Sequence, residues 1–336
     1  MVNHLETHIP ARTNFVLAGF HAGVNVYQFL IVPAVLLPLD ARWAWTLLPL
    51  VFLNNSYWSL IHESIHDLFH PSRSINKFFG RAMSILFGSP LQIVRLSHLL
   101  HHKLNRTPKE ATEVYDPRAT SIRAAARGYY FQILGGLYLG ELLSPLLFFL
   151  PRGLIEKFRL RFTRPDSVSG ILMQNWSRPE ILQEIRIDGI LIVLWLSASC
   201  CFYASHWPLL LGILAARAFF ISFLDNVYHY RTPVADIFYA SNLRLPAPLR
   251  KLLLNFNLHG IHHRNPAIPW IRLPSVFREQ SAVFHGSYLQ AALSQLGGPI
   301  ALEDLPQAAP RSNSPGRREE NCSDTAVTIL PVDARG

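Results

Sequence analysis

DGILIVLWLSASCCFYAS at residues 188–205, followed by WPLLLGILAARAFFISFL at 207–224, decides the fold class. Each run approaches the roughly 20 apolar residues that cross a bilayer as a helix. A turn near His206-Trp207-Pro208 makes the pair a helical hairpin. Residues 14–38 and 43–61 repeat the pattern, meeting at Pro38-Leu39-Asp40-Ala41-Arg42. The whole chain agrees with its parts. Half of its 336 residues are apolar and only 16% are charged, against about a quarter charged in a soluble domain. The expected fold is all-α: a multi-pass membrane protein with about four transmembrane helices in two hairpins, interfacial helices, and a histidine-rich cap on the cytoplasmic side.

The remaining segments fit around that frame. Residues 79–97 are apolar but carry Arg81, Pro90 and Arg95, which suits an interfacial or re-entrant helix. Residues 129–150 are apolar with Gly135-Gly136, Gly140 and Pro145. As one span they would put the basic loop 151–187 outside, so a bent hairpin or an interfacial helix is expected. Residues 1–304 form the membrane domain. Residues 305–336 are rich in Pro, Ser, Asn, Arg and Glu and read as a disordered tail. The first residues lack a charged start, a short apolar core and a cleavage site, so no removable signal peptide is expected.

The net charge of +9 follows the same topology. Basic residues gather at 98–128 and 151–187, while the turns at 38–42 and 206 are poor in them. By the positive-inside rule both termini and the basic loops face the cytoplasm. That accounts for the charge without nucleic acid. Cys200 and Cys201 lie in an apolar run and Cys322 in the tail. No CxxC pair supports a thiolate metal site, a disulfide frame or a fused iron–sulfur carrier.

The chemistry lies in the histidines. His62 and His66 form HxxxH; His98, His101 and His102 form HxxHH; His259, His262 and His263 form a second HxxHH. At this histidine content, chance gives about 0.03 of an HxxHH per chain. Residues i, i+3 and i+4 share a helix face, so each box is expected to aim its imidazoles at one point. All three boxes fall on the inner side, which predicts a single cluster. Eight imidazoles are too many for one ion, since zinc takes about four ligands. Two ions bound mainly by neutral nitrogen point to iron and oxygen chemistry. A carboxylate-rich di-iron bundle needs two Glu-x-x-His pairs, and only Glu63-Ser64-Ile65-His66 is present in the boxes. His4, His8, His21, His206 and His285 read as ordinary polar or hydrogen-bonded histidines. His70, beside Pro71, reads as a turn residue.

HESIHD at 62–67, HLLHH at 98–102 and HGIHH at 259–263 together resemble the integral-membrane fatty acid desaturase and hydroxylase superfamily. The resemblance covers roughly residues 15–290 and implies two non-haem irons that activate O2. It further implies a separate electron donor of ferredoxin or cytochrome type, acting in trans. It adds His229 as a ninth ligand, at the inner end of the last span. Acyl-CoA desaturases carry Asn four residues before that histidine; here Asp225 stands there. Asp225 either supports the metals from behind the ligands or caps the helix. Asn255, four before His259, either orients a ligand or is a turn residue.

The expected activity is a fatty acid (acyl) desaturase using iron and O2. The alternative within the superfamily is a lipid or isoprenoid (carotenoid) hydroxylase or ketolase. A metal transporter would place its ligands near mid-membrane, commonly on related repeats, and a membrane zinc hydrolase would bind zinc. Boxes at the membrane edge do not suit the transporter, and metal analysis separates the hydrolase from an iron enzyme.

Overall fold

A computed structural model describes residues 8–234 and 236–305. The expected tail therefore lies, from residue 306 on, outside the described residues.

The first hairpin begins with helix α1, Ala11–Leu39. Its buried side carries Asn14, Ala18, His21 and Asn25, a seam at helical spacing. Pro33 interrupts its hydrogen-bond ladder, and π-type turns run through Tyr27–Leu36. The chain turns at Asp40, whose carboxylate accepts from the Arg42 amide. It returns through short helical turns into α2, Asn54–Ile65, which is buried almost throughout. Asp67, with φ +59°, ends that return.

Residues 79–97 depart from the expectation of one helix. They divide between α3, Arg73–Phe87, and α4, Leu91–Leu104. Gly88 at φ +96° is the left-handed stop, with its amide and that of Ser89 both donating to the Ser84 carbonyl. Pro90 then opens α4. After the two-residue strand β1, Val114–Tyr115, helix α5 runs over Ile122–Phe148. It is long and apolar enough to cross a membrane, yet its contacts keep both ends on the histidine side. The Tyr129 hydroxyl donates to the Gln295 carbonyl in the C-terminal cap. Phe148, at the other end, packs in one cluster with Leu96 and Leu100 of α4. Gly135, at φ +145°, makes the bend where the helix passes Ala218.

Helices α6 (Arg152–Phe162) and α7 (Val168–Trp176) follow. Ile155 and Ile171–Met173 join the α4 cluster, so the basic segment lies on the side of the histidine boxes. The second hairpin is α8, Pro179–Tyr203, and α9, Trp207–Asp225, reversing at Ala204 with φ +43°. The cap comprises β2 (Leu243–Arg244), α10 (Ala247–Leu252), α11 (His259–Arg264), α12 (Leu273–Glu279), β3 (Gly286–Ser287), α13 (Tyr288–Ser294) and β4 (Ile300–Ala301). Two short parallel pairings, β1 with β4 and β2 with β3, hold it in place.

This geometry carries a topology test. Reporter fusions within 151–178 and near residue 304 should both read cytoplasmic. A fusion in 151–178 that reads outside, while the one near 304 reads inside, would show that α5 crosses.

Candidate metal centre

Four elements bring the histidines together. His62 occupies the last turn of α2 and His66 its C-cap. His98, His101 and His102 occupy the last turns of α4. His229 caps a short turn of helix after α9. His259, His262 and His263 all lie on α11. All nine meet, in two groups. His62, His66, His98, His102 and His262 form one; His101, His229, His259 and His263 form the other. Within each group the candidate ligand atoms lie within 4.8 Å of one another.

The expectation that each box aims at one point is corrected. In each HxxHH box the i and i+4 residues share a face, and the i+3 residue is displaced from the i+4 residue by one step of about 100° around the helix. His98 and His102 therefore go to the first group and His101 to the second. On α11 the assignment reverses: His259 and His263 go to the second and His262 to the first. The two boxes interlock across the pair of sites.

The spacing fits metal ligation. Nε2 atoms lie 2.9 Å apart for His66 and His98, 3.0 Å for His98 and His102, and 3.0 Å for His102 and His262. In the second group His259 and His263 are 3.0 Å apart, and His101 and His263 3.3 Å. Two nitrogens bound to one ion through bonds of about 2.1 Å at right angles lie about 3.0 Å apart, whereas a tetrahedral arrangement separates them by about 3.4 Å. Five donors in one group also exceed a tetrahedral zinc site. Imidazole is a good ligand for iron, and the donor set fits it. Both ring nitrogens of His62 are buried without a hydrogen-bond partner among the described residues, so metal ligation would satisfy a buried nitrogen that the protein does not.

The protonation states agree. Burial first, then the charge of neighbouring imidazoles, holds His98, His259, His262 and His263 well below the ordinary histidine pKa. Burial, with Arg95 nearby, takes His66 to about 3. These rings are neutral at pH 7, the ligating form. His101 differs. Burial pulls it down, but the Glu110 carboxylate outweighs that and raises it. His101 Nδ1 lies 2.9 Å from Glu110 Oε1. In the neutral ring, a proton held on Nδ1 by Glu110 leaves Nε2 as the nitrogen for an ion, the usual arrangement of a carboxylate behind a ligating histidine.

Other supports surround the ring. Asn105 Nδ2 donates to the Ile237 and Tyr239 carbonyls and lies 3.2 Å from His263 Nδ1. Glu63 Oε2 accepts from the Trp270 amide; its Oε1 is 4.0 Å from His62 Nδ1. Burial pushes the Glu63 carboxyl up to about 8. Asn255 donates to the Trp270 carbonyl, so it reaches the centre through the same tryptophan. No hydrogen bond joins Asp225 to His229 among the described residues. Asp225 instead fronts a polar pocket lined also by His101, Glu110 and His229. His70 stays outside both groups, its Nδ1 accepting from the Ser72 amide. Glu110 and Asn105 carry no spacing signal: they sit in an irregular strap after α4, and only the fold returns them to the ligands.

Gly260 is what lets α11 approach. A Cβ there would collide with the Ala240 carbonyl and crowd the Asn242 amide. Gly260→Ala should therefore lower thermal stability by about 1–3 kcal/mol, the range for overpacking, and weaken metal retention. Unfolding and metal content measured together check this; unchanged values for both would contradict it.

Beneath the centre lies a narrow cleft between α2, α9 and the cap, with room for about one water. Trp58, Ile221, Leu224, Leu253 and Phe256 form its apolar wall. Phe256 faces the His62 and His259 rings at 4.8 and 4.6 Å, so the cleft abuts both groups.

The family model described as fatty acid desaturase matches residues 41–291, which takes in all nine histidines. No curated protein matches the chain.

Proposed function

The chain belongs to the fatty acid desaturase family, and from that premise we propose that it is a membrane-bound, O2-dependent di-iron oxidoreductase that desaturates a lipid acyl chain. The observation that carries this reading is the division of nine imidazoles into groups of five and four beside a cleft with an apolar wall. An alkyl C–H has no acidity for a side-chain base to use. Two bound irons supply the dioxygen chemistry such a bond requires. Overall, two hydrogens leave adjacent carbons, and with two electrons and two protons from outside they reduce O2 to two waters.

The chain's own residues bind, orient and exclude. The nine histidines hold the irons. Glu110 keeps the His101 proton on Nδ1. Asp225 stands at the pocket beside His101 and His229, behind the ligands, and Asn255 acts through Trp270. Phe256 and Tyr228 close the apolar side, Tyr228 lying 4.5 Å from His259, and keep water from the reacting carbon. The electrons come from a separate ferredoxin- or cytochrome-type donor in trans, on the cytoplasmic side where both termini and the boxes lie. The basic segments there suit an acidic carrier.

Lipid profiling of cells with and without the protein tests the reaction. A product lacking two hydrogens supports desaturation; a product gaining one oxygen would replace it with hydroxylation. Metal analysis of the purified protein should find about two irons, and zinc alone would sink both. Glu110→Gln should keep the fold and lower metal affinity or turnover by about 10–100-fold, with Glu110→Asp recovering part of the loss. Unchanged iron affinity and turnover in Glu110→Gln would remove Glu110 from the centre.

A further inference from the structure

Helix α6 exposes an apolar stripe along a strongly basic segment. Leu154, Phe158 and Phe162 are 47%, 40% and 66% exposed. Spaced by four residues, they share one face of the helix. Ile155, on an adjacent face, is fully buried. It packs in one cluster with Leu96 and Leu100 of α4 and Ile171–Met173 of α7. The core therefore claims Ile155 and leaves the stripe uncovered.

The neighbouring helices show what lies against that stripe. Leu139, Leu143 and Leu146 are exposed along α5, the apolar helix that ends just before α6. The Arg186 guanidinium, in the first turns of α8, donates to the Phe148 and Leu150 carbonyls at 2.9 and 2.8 Å. That ties the end of α5 to the start of the second hairpin, at the membrane edge on the histidine side. Helix α6 departs from this level, and its stripe continues the lipid-facing surface of α5. An amphipathic helix so placed lies in the plane of the interface.

The charges beside the stripe narrow the occupant. Arg159 pairs with Glu156, and Arg164 with Asp166. Lys157 and Arg161 are exposed and form no ion pair among the described residues. At about 100° per residue, both border the stripe on the side away from Ile155. The Arg161 guanidinium lies 5.5 Å from the Phe162 ring. Two free cations next to an apolar stripe match a phosphate above an acyl chain. An acidic soluble protein would match the cations and leave the leucine and phenylalanine side chains in water.

We propose that α6 is a docking surface for anionic phospholipid of the leaflet on the histidine side. Lys157 and Arg161 take the phosphates while Leu154, Phe158 and Phe162 enter the acyl region. Because Ile155 packs on Leu96 and Leu100, on either side of His98, this contact steadies the end of α4 that bears the second histidine box.

Hydrogen exchange of the full chain in lipid nanodiscs tests this without reference to catalysis. The discs hold phosphatidylcholine alone or phosphatidylcholine with added phosphatidylglycerol. The anionic lipid should slow exchange in 152–162 about tenfold or more, since each basic residue at an anionic surface is worth roughly fivefold. A smaller slowing should appear in 96–104. Lys157→Glu combined with Arg161→Glu should abolish both effects, and the corresponding double change to Gln should reduce them. Exchange in 189–200 of α8 should be the same in all samples and reports folding. Equal exchange of α6 in the two lipids would overturn the proposal, as would a full lipid effect in both double variants. Slowing confined to 152–162 would overturn the link to α4. Greater slowing of α6 by an acidic ferredoxin, added to discs of phosphatidylcholine alone, than by phosphatidylglycerol would assign the surface to a protein instead.

Discussion

His229→Ala should insert and fold, keep about half of the iron, and lose nearly all turnover. The expectation follows from the division into five and four donors. His229 belongs to the smaller group, which falls to three imidazoles without it, while the group around His62 keeps all five. The loss should exceed the roughly 100-fold upper range for removing a partner behind a ligand, because the ligand itself is gone. His62→Ala is the matched case. It leaves four donors in the other group, as many as the smaller group has in the intact protein, so it should keep more iron than His229→Ala, and any iron it loses comes from the other site. Iron counting with spectroscopy of the two variants separates the sites. Full iron and near-normal turnover in His229→Ala would remove His229 from the centre and leave eight histidines for both ions.

The sequence made the nine histidines readable because spacing on a helix survives any tertiary arrangement. Which imidazole serves which ion was not readable. That depends on α4 and α11 facing each other in opposite senses, so that His101 and His262 cross between groups. The apolar runs at 14–38 and 188–224 were legible from length alone. The 79–97 segment was legible only in part: Pro90 marked an interruption, but the φ of +96° at Gly88 is what shows that one helix stops there and a second begins at Leu91. Glu110 and Asn105 were invisible for a related reason. Each acts across a strap whose path is set by contacts with Thr232, Pro233, Ile237, Tyr239 and Ile300, far away in sequence.

Arg217 stood in view as the one charge in the run at 207–224, a signal in itself, though its partners did not, and it carries the second large effect. Its side chain is 1% exposed among membrane helices, where a charge persists only if its donors are satisfied. Nε donates to Asn54 Oδ1 and one terminal nitrogen to Asn25 Oδ1, both at 2.9 Å. The other terminal nitrogen donates to the Phe87 carbonyl at 2.7 Å. The guanidinium lies 5.2 and 5.0 Å from the Phe29 and Phe87 rings. Four elements therefore meet on one side chain: α1, α2, α9 and the C-terminal end of α3. A cation on that helix end also complements its dipole. Arg217→Met retains an unbranched side chain but leaves two amide oxygens and a carbonyl without this donor. The Phe87 carbonyl keeps the Tyr138 hydroxyl as a donor, so at roughly 1–3 kcal/mol for each of the two amide oxygens left unpaired the loss should reach about 2 kcal/mol or more, a large part of a typical domain's stability. Because α3 leads through Gly88-Ser89-Pro90 directly into α4, the loosened end should also displace His98, His101 and His102. The variant should therefore unfold at lower temperature in detergent and bind less iron, although Arg217 touches no histidine of the centre. Unfolding at the wild-type temperature with full iron would show that these contacts are dispensable, and that the position of α4 is fixed by its packing against α7 and α8 alone.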